Sequence, residues 1–216
     1  MNYLNEVEQK VAESLLQIKA IKLQPKSPFT WASGWKSPIY CDNRVTLSHP
    51  AIRTYIRQKL SQLIQDEFGS VDMISGVATA GIPQGVLVAQ DLGLPFSYVR
   101  SSAKDHGRQN LIEGEVISGQ RVVVVEDLVS TGKSSLVAVK ALREAGCNVV
   151  GLVSIFTYGF DEARKNFEDA KCTFHSLCNY EALVRVAATN SYIKESEIEL
   201  LEKWRQDPAN WNPELV

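Results

Sequence analysis

Five short apolar segments alternate with helical patterns between residues 71 and 177, and this alternation constrains the fold more than any other feature. Their apolar residues run continuously instead of alternating with polar ones, which is typical of strands covered on both faces. Strands separated by helices pair in parallel through right-handed crossovers. The pattern therefore predicts an α/β fold with a doubly wound, mainly parallel five-stranded sheet. The predicted strands are VDMIS (71–75), FSYVR (96–100), RVVVVED (121–127), VVGLVSIFTY (149–158) and CTFHSL (172–177).

Composition is that of an ordinary globular protein. The 216 residues are 44% hydrophobic and 22% charged, which argues against a disordered chain. The formal net charge of -2 creates no overall field for nucleic acid. No apolar stretch approaches the ~20 residues that span a bilayer, the acidic N-terminal segment is unlike a signal peptide, and the four cysteines form no CxxC pair or zinc spacing. We expect a cytoplasmic protein without nucleic-acid or membrane partners.

The third predicted strand runs into a stretch that burial alone does not explain, VVVVEDLVSTGKS (122–134). Glu126 and Asp127 stand at its carboxyl end, where open parallel sheets bind ligands. The STGKS turn combines small residues with a helix N-terminus and so predicts a phosphate site. The two carboxylates would repel that phosphate, but they suit a neighbouring group such as sugar hydroxyls or a divalent cation. A phosphate beside a diol describes a ribose 5-phosphate.

Two other nucleotide-binding motifs, the Walker A loop and the dinucleotide fingerprint, do not fit this stretch. A Walker A loop also ends in GKS, but it needs a glycine where this chain has Asp127. The dinucleotide fingerprint GxGxxG is absent from the turn. An ordinary strand-to-helix turn explains any one of these residues, but it does not explain the strand, acidic pair, hydroxyls and glycine together.

The thirteen residues match, position by position, the signature with which type I phosphoribosyltransferases bind 5-phosphoribosyl 1-diphosphate (PRPP). The chain resembles this family, and the resemblance implies that Glu126 and Asp127 hold the ribose hydroxyls and act catalytically on the ribose. It also implies that Ser130–Ser134 wraps the 5-phosphate. The PRPP-binding residues implied in this stretch are Glu126, Asp127, Leu128, Val129, Ser130, Thr131, Gly132, Lys133 and Ser134.

A second stretch, YVRSSAKDHGRQNLIEGEV (98–116), resembles the catalytic loop of one branch of that family, the orotate phosphoribosyltransferases. The resemblance implies that Arg100, Lys104 and His106 bind PRPP and that Lys104 is catalytic. The chemistry is reasonable without the family name, because a cation that reaches the departing diphosphate only on loop closure stabilises the transition state more than the ground state. Taken alone, Lys104 would be interpreted as an ordinary surface lysine.

A third stretch, FTWASGWKSPIYCDNR (29–44), resembles the N-terminal hood of the same branch. The resemblance implies that Tyr40 and Cys41, with Ser130, contact orotate. It divides the single domain of residues 1–216 into two parts. They are a hood of about 1–46 plus C-terminal helices of about 179–206, and an α/β core of about 47–178.

By the same resemblance, the activity is transfer of the phosphoribosyl group from PRPP to orotate, giving orotidine 5′-monophosphate and diphosphate in pyrimidine (UMP) biosynthesis. Mg²⁺ would be held mainly through PRPP, with no protein residue named as its ligand. The family acts as a homodimer in which the loop of residues 100–108 serves the neighbouring subunit's site.

Some positions depart from the family pattern. Ala32 and Ala80 stand where some members carry lysine, and Thr157 or Tyr158 stands where some carry an arginine that contacts the base. Two alternatives therefore stay open at this point. One is a phosphoribosyltransferase for a purine or for uracil, and the other is a regulator that senses PRPP or a nucleotide without turning it over.

Overall fold

The computed structural model describes residues 5–31, 34–101 and 111–212. Helices and strands follow one another along these ranges, and short 3-10 helices occupy Asn43–Ser48 and Glu195–Glu197. The α-helices are α1 (Glu6–Gln17), α2 (Pro50–Phe68), α3 (Gly81–Leu92), α4 (Lys133–Glu144), α5 (Asp161–Asp169), α6 (Tyr180–Thr189) and α7 (Ile198–Gln206). The strands are β1 (Ile21–Leu23), β2 (Phe29–Thr30), β3 (Lys36–Ser37), β4 (Ile39–Cys41), β5 (Met73–Val77), β6 (Phe96–Val99), β7 (Ile112–Glu113), β8 (Arg121–Val129), β9 (Asn148–Thr157) and β10 (Phe174–Asn179).

The main sheet has the strand order β10-β9-β8-β5-β6-β7. Strand β5 pairs in parallel with both β6 and β8, and β8 pairs in parallel with β9. The sheet thus has six strands where the sequence predicted five, because the two-residue strand β7 adds an antiparallel edge to β6 through the pairs Tyr98↔Glu113 and Val99↔Ile112. The predicted α/β class with a mainly parallel sheet is confirmed.

Strand β8 lies near the middle of this sheet, between β5 and β9. The four consecutive valines Val122–Val125 are all 0% exposed, as expected when helices cover both faces of a parallel sheet. Their branched side chains suit the extended backbone and its pleated surface. The core of this region therefore lies on both sides of β8, and the carboxyl end of the strand carries the acidic pair.

The chain divides into two compact units, one formed by Pro50–Leu177 and the other by the residues up to His49 and from Cys178 on. In the second of these, α1 packs on α6, and the two short sheets β1-β4 and β2-β3 are antiparallel. Trp204 is fully buried and its Nε1–H donates to the Lys36 carbonyl at 3.2 Å. In the described ranges, no helix combines the length and apolarity that a membrane crossing requires.

Candidate active site

Strand β8 continues for two residues beyond the acidic pair. The strand was predicted to end at residue 127, but pairing with β9 continues through Leu128↔Phe156 and Val129↔Thr157. Val129 is buried, and its carbonyl accepts hydrogen bonds from the next strand. Leu128 and Val129 are therefore strand residues, and the turn before α4 is formed by residues 130–132 alone.

Glu126 and Asp127 differ in environment although they are neighbours in sequence. Glu126 is only 6% exposed, whereas Asp127 is half-buried. The Glu126 carboxyl accepts a hydrogen bond from the Asp127 N–H at Oε1 (3.0 Å) and one from the Ser135 hydroxyl at Oε2 (3.3 Å). Burial, and then the negative charge of Asp127, raises the pKa of Glu126 to about 9. Glu126 is therefore the carboxyl of the pair that burial keeps protonated at neutral pH.

The predicted phosphate turn leads directly into the N-terminus of α4. Ser130 and Thr131 are half-buried, Gly132 is buried, and Lys133 and Ser134 are exposed on the first turn of the helix. Gly132 has a φ of 77°, which glycine adopts without steric cost. A left-handed turn at a helix N-terminus presents backbone N–H groups of the kind that bind anions in phosphate sites.

The loop between β5 and α3 approaches the acidic pair closely. A Cβ placed on Gly81 would lie 2.5 Å from the Val125 carbonyl oxygen and 3.4 Å from Glu126 Oε1. A glycine is therefore required at Gly81, where the start of α3 meets β8. Ala80 precedes α3 without a side-chain cap, and the Ala78–Thr79 peptide bond is cis.

Arg100 lies at the base of the predicted catalytic loop, just beyond β6. Its side-chain Nη1 is 3.5 Å from Glu113 Oε1, and its backbone N–H donates to the Leu111 carbonyl at 2.8 Å. These contacts extend the β6–β7 pairing and hold the two ends of the loop together. The predicted catalytic Lys104 and the PRPP-binding candidate His106 lie outside the described residues.

The predicted orotate contacts Tyr40 and Cys41 lie in β4. Tyr40 is 40% exposed, and its ring centroid is 5.6 Å from that of Phe29. The Cys41 thiol donates to Asn43 Oδ1 at 3.4 Å. These residues belong to the unit that contains β4, whereas Ser130 belongs to Pro50–Leu177.

Thr157 and Tyr158, where some relatives carry arginine, are engaged inside the protein. The Thr157 hydroxyl donates to the Val129 carbonyl and accepts from the Gly159 N–H, each at 3.1 Å. Tyr158 is 2% exposed and lies between the rings of Phe156 and Phe160. The structure gives both side chains a packing role, while Ala32 lies outside the described residues.

Sequence reasoning missed Ser135, which binds Glu126 and is 1% exposed. It follows the hydroxyl-rich signature by one residue, and nothing in the sequence distinguishes it from Ser134. Across the described ranges, no group of three or more His, Cys, Asp or Glu side chains is placed to hold a metal ion.

Comparison with known proteins agrees with this geometry. Residues 46–189 match the phosphoribosyl transferase domain family. An orotate phosphoribosyltransferase of Bacteroides fragilis is 57% identical over 208 residues, which are 96% of this chain and 98% of that protein.

Solved structures give the same result. The orotate phosphoribosyltransferase of Aeropyrum pernix superposes with a TM-score of 0.74 at 25% identity, covering 85% of this chain and 99% of that one. The Mycobacterium tuberculosis orotate phosphoribosyltransferase solved with PRPP has a TM-score of 0.63 at 25% identity, covering 82% of this chain and 98% of that one. With this agreement in sequence and in fold, the chain belongs to the orotate phosphoribosyltransferase family.

Proposed function

We propose that this chain transfers the 5-phosphoribosyl group of PRPP to orotate, giving orotidine 5′-monophosphate and diphosphate in pyrimidine biosynthesis. One observation carries the proposal beyond the family assignment. An acidic pair at the carboxyl end of β8 is followed within three residues by a left-handed turn at a helix N-terminus. This arrangement suits a ligand that joins a diol to a phosphate, as PRPP does.

The two carboxyls of the pair have different roles in this proposal. Asp127 carries negative charge beside the ribose and stabilises the positive charge that develops at C1 as diphosphate leaves. Glu126, buried and protonated, can both donate to and accept from a ribose hydroxyl. The 5-phosphate binds at Ser130–Ser134, where backbone N–H groups and the α4 N-terminus meet it.

The leaving diphosphate is neutralised by the cationic residues of the loop. We assign Lys104 the main catalytic role there, with Arg100 and His106 as further PRPP contacts. Arg100 pairs with Glu113, so PRPP would compete with Glu113 for this guanidinium. Closure of the loop would exclude the water that hydrolyses PRPP.

Orotate is proposed to bind through Ser130 of the turn and through Tyr40 and Cys41 of the hood, which comprises residues of about 1–46 and 179–206. Orotate is already anionic, so its attacking nitrogen needs little help from a general base. The exposed Tyr40 ring offers an apolar face to a flat base.

Mg²⁺ is the expected cofactor, and no protein residue is named as its ligand. A hard cation takes oxygen ligands, and the ion would take them mainly from PRPP and water. When bound, it would neutralise diphosphate charge.

The assembly is proposed to be a cytoplasmic homodimer in which loop 100–108 serves the partner's site. Two-fold dimers are the commonest closed assemblies. The net charge of -2 supports the absence of a nucleic-acid partner.

The test is orotate consumption, followed by near-ultraviolet absorbance, in a mixture with PRPP and Mg²⁺ and in mixtures that omit each one. The proposal expects absorbance to change only in the complete mixture, with orotidine 5′-monophosphate as the product. If orotate persists while uracil or a purine is consumed, the base assignment is wrong. PRPP binding without turnover of any base would instead indicate a sensor.

A further inference from the structure

Helix α5 contacts two successive residues of the phosphate turn, Thr131 and Gly132. The Asn166 side-chain amide donates to the Thr131 carbonyl at 2.9 Å. The Phe167 ring packs so closely on Gly132 that a Cβ there would lie 2.6 Å from a ring carbon. These two helix residues therefore fix the backbone of the turn from one side.

The hydrogen bond from Asn166 determines the orientation of one peptide group. The Thr131–Gly132 peptide bond is trans, so its C=O and N–H point in opposite directions. Because the carbonyl is turned towards Asn166, the Gly132 N–H is turned away from α5. An N–H held in this orientation needs no reorganisation when an anion arrives on that side of the turn.

Helix α5 is itself anchored at its other end. Arg143, in the last turn of α4, donates to the carbonyls of Ala170 and Lys171 at 2.7 and 2.9 Å. At the first turn of α5, Glu162 Oε1 lies 2.6 Å from Lys133 Nζ. Contacts at both ends thus hold α5 against α4, and they fix the position of the helix that carries Asn166.

We propose that Asn166 is a positioning residue for the 5-phosphate subsite, acting through the Thr131–Gly132 peptide group. The inference rests on the proposed function and adds a residue that the signature does not contain. Asn166 binds the ligand indirectly, so its loss affects binding of the 5-phosphate and leaves the chemical step at C1 intact. The diphosphate subsite, formed elsewhere, is unaffected.

The sharpest variant is Asn166→Asp, which preserves size but replaces the donor by a carboxylate that repels the Thr131 carbonyl. A lost charge-neutral hydrogen bond of this kind corresponds to about tenfold in affinity. We expect the KM for PRPP to rise by about that factor while kcat stays within about threefold. Glu168→Gln, on the exposed part of the same helix, is the matched control and should leave both constants unchanged.

Direct binding measurements separate positioning from general damage. Calorimetry with ribose 5-phosphate should show the same loss of about tenfold in Asn166→Asp, and calorimetry with pyrophosphate and Mg²⁺ should show unchanged affinity. Equal ribose 5-phosphate affinity in variant and wild type overturns the proposal. Parallel loss of both ligands, or a wild type that does not bind ribose 5-phosphate, overturns it as well. Failure of the proposed function is distinct, because it would appear as a wild type that does not consume orotate.

Discussion

The protonated state of Glu126 makes the free energy of unfolding depend on pH in a way that one substitution removes. In the unfolded chain this carboxyl ionises near its ordinary pKa of 4.5, whereas in the folded protein burial and the charge of Asp127 raise the pKa to about 9. Between these values the folded state binds one proton more than the unfolded state. Stability therefore falls as pH rises through this window.

The size of the effect follows from the proton count. A difference of one bound proton changes the free energy of unfolding by about 1.4 kcal/mol per pH unit. Between pH 6 and pH 8, this difference at Glu126 therefore lowers the stability of the wild type by about 2–3 kcal/mol. Glu126→Gln keeps the shape and the acceptor for the Asp127 N–H, but it has no proton to lose. Its stability relative to wild type should rise by the same amount over this window.

Urea unfolding of both proteins at pH 6, 7 and 8 measures this difference, because other titrating groups cancel between them. Asp66→Asn, which alters an exposed carboxylate of α2, is the control and should give a difference that does not change with pH. If the Glu126→Gln difference is equally flat, Glu126 is already ionised in the folded protein at pH 6. The distinct roles given to the two carboxyls would then be wrong.

Three further substitutions test separate parts of the account. Lys104→Ala should lower kcat by about 100-fold or more with little change in PRPP affinity, and wild-type turnover would remove this residue from catalysis. Gly132→Ala should destabilise the protein by about 1–3 kcal/mol more than Gly93→Ala. Both glycines have a positive φ, but only Gly132 lies against a ring, that of Phe167. Equal losses of stability in thermal unfolding would contradict this. Arg143→Ala should cost about 1–2 kcal/mol by freeing the carbonyls at the end of α5, and an unchanged unfolding midpoint would show that this anchor is dispensable.

The sequence predicted the sheet well where strands are long and buried. The valines of β8 and the apolar run of β9 indicated buried strands. Both strands lie within two residues of their predicted bounds. Strand β7 was missed because a two-residue edge pairing has no periodic signal. Leu128 and Val129 were missed because the acidic pair looked like the last residues of the strand, although pairing with β9 continues past it.

The candidate site residues that the sequence could name lie mainly in one continuous stretch, residues 126–134. Glu126, Asp127 and the turn after them were named because their chemistry is unusual for a strand end. Ser135 and Asn166 were not, since each acts through a partner that only the fold brings near. Asn166 lies 35 positions from the carbonyl it binds, and no local pattern marks such a pair.

The division of the chain into two units has a consequence for its synthesis. Pro50–Leu177 is continuous, so all its strands and helices are available once residue 177 has been made. The other unit joins distant segments, as in the 3.0 Å hydrogen bond from Asn179 to Glu8, 171 positions apart. Its first helix, made early, must keep the apolar side chains of Val11 and Leu15 exposed until α6 emerges. Helix α1, which is translated before Pro50–Leu177, is therefore buried against α6 only after that unit has been made, and a nascent chain needs protection from aggregation during this interval.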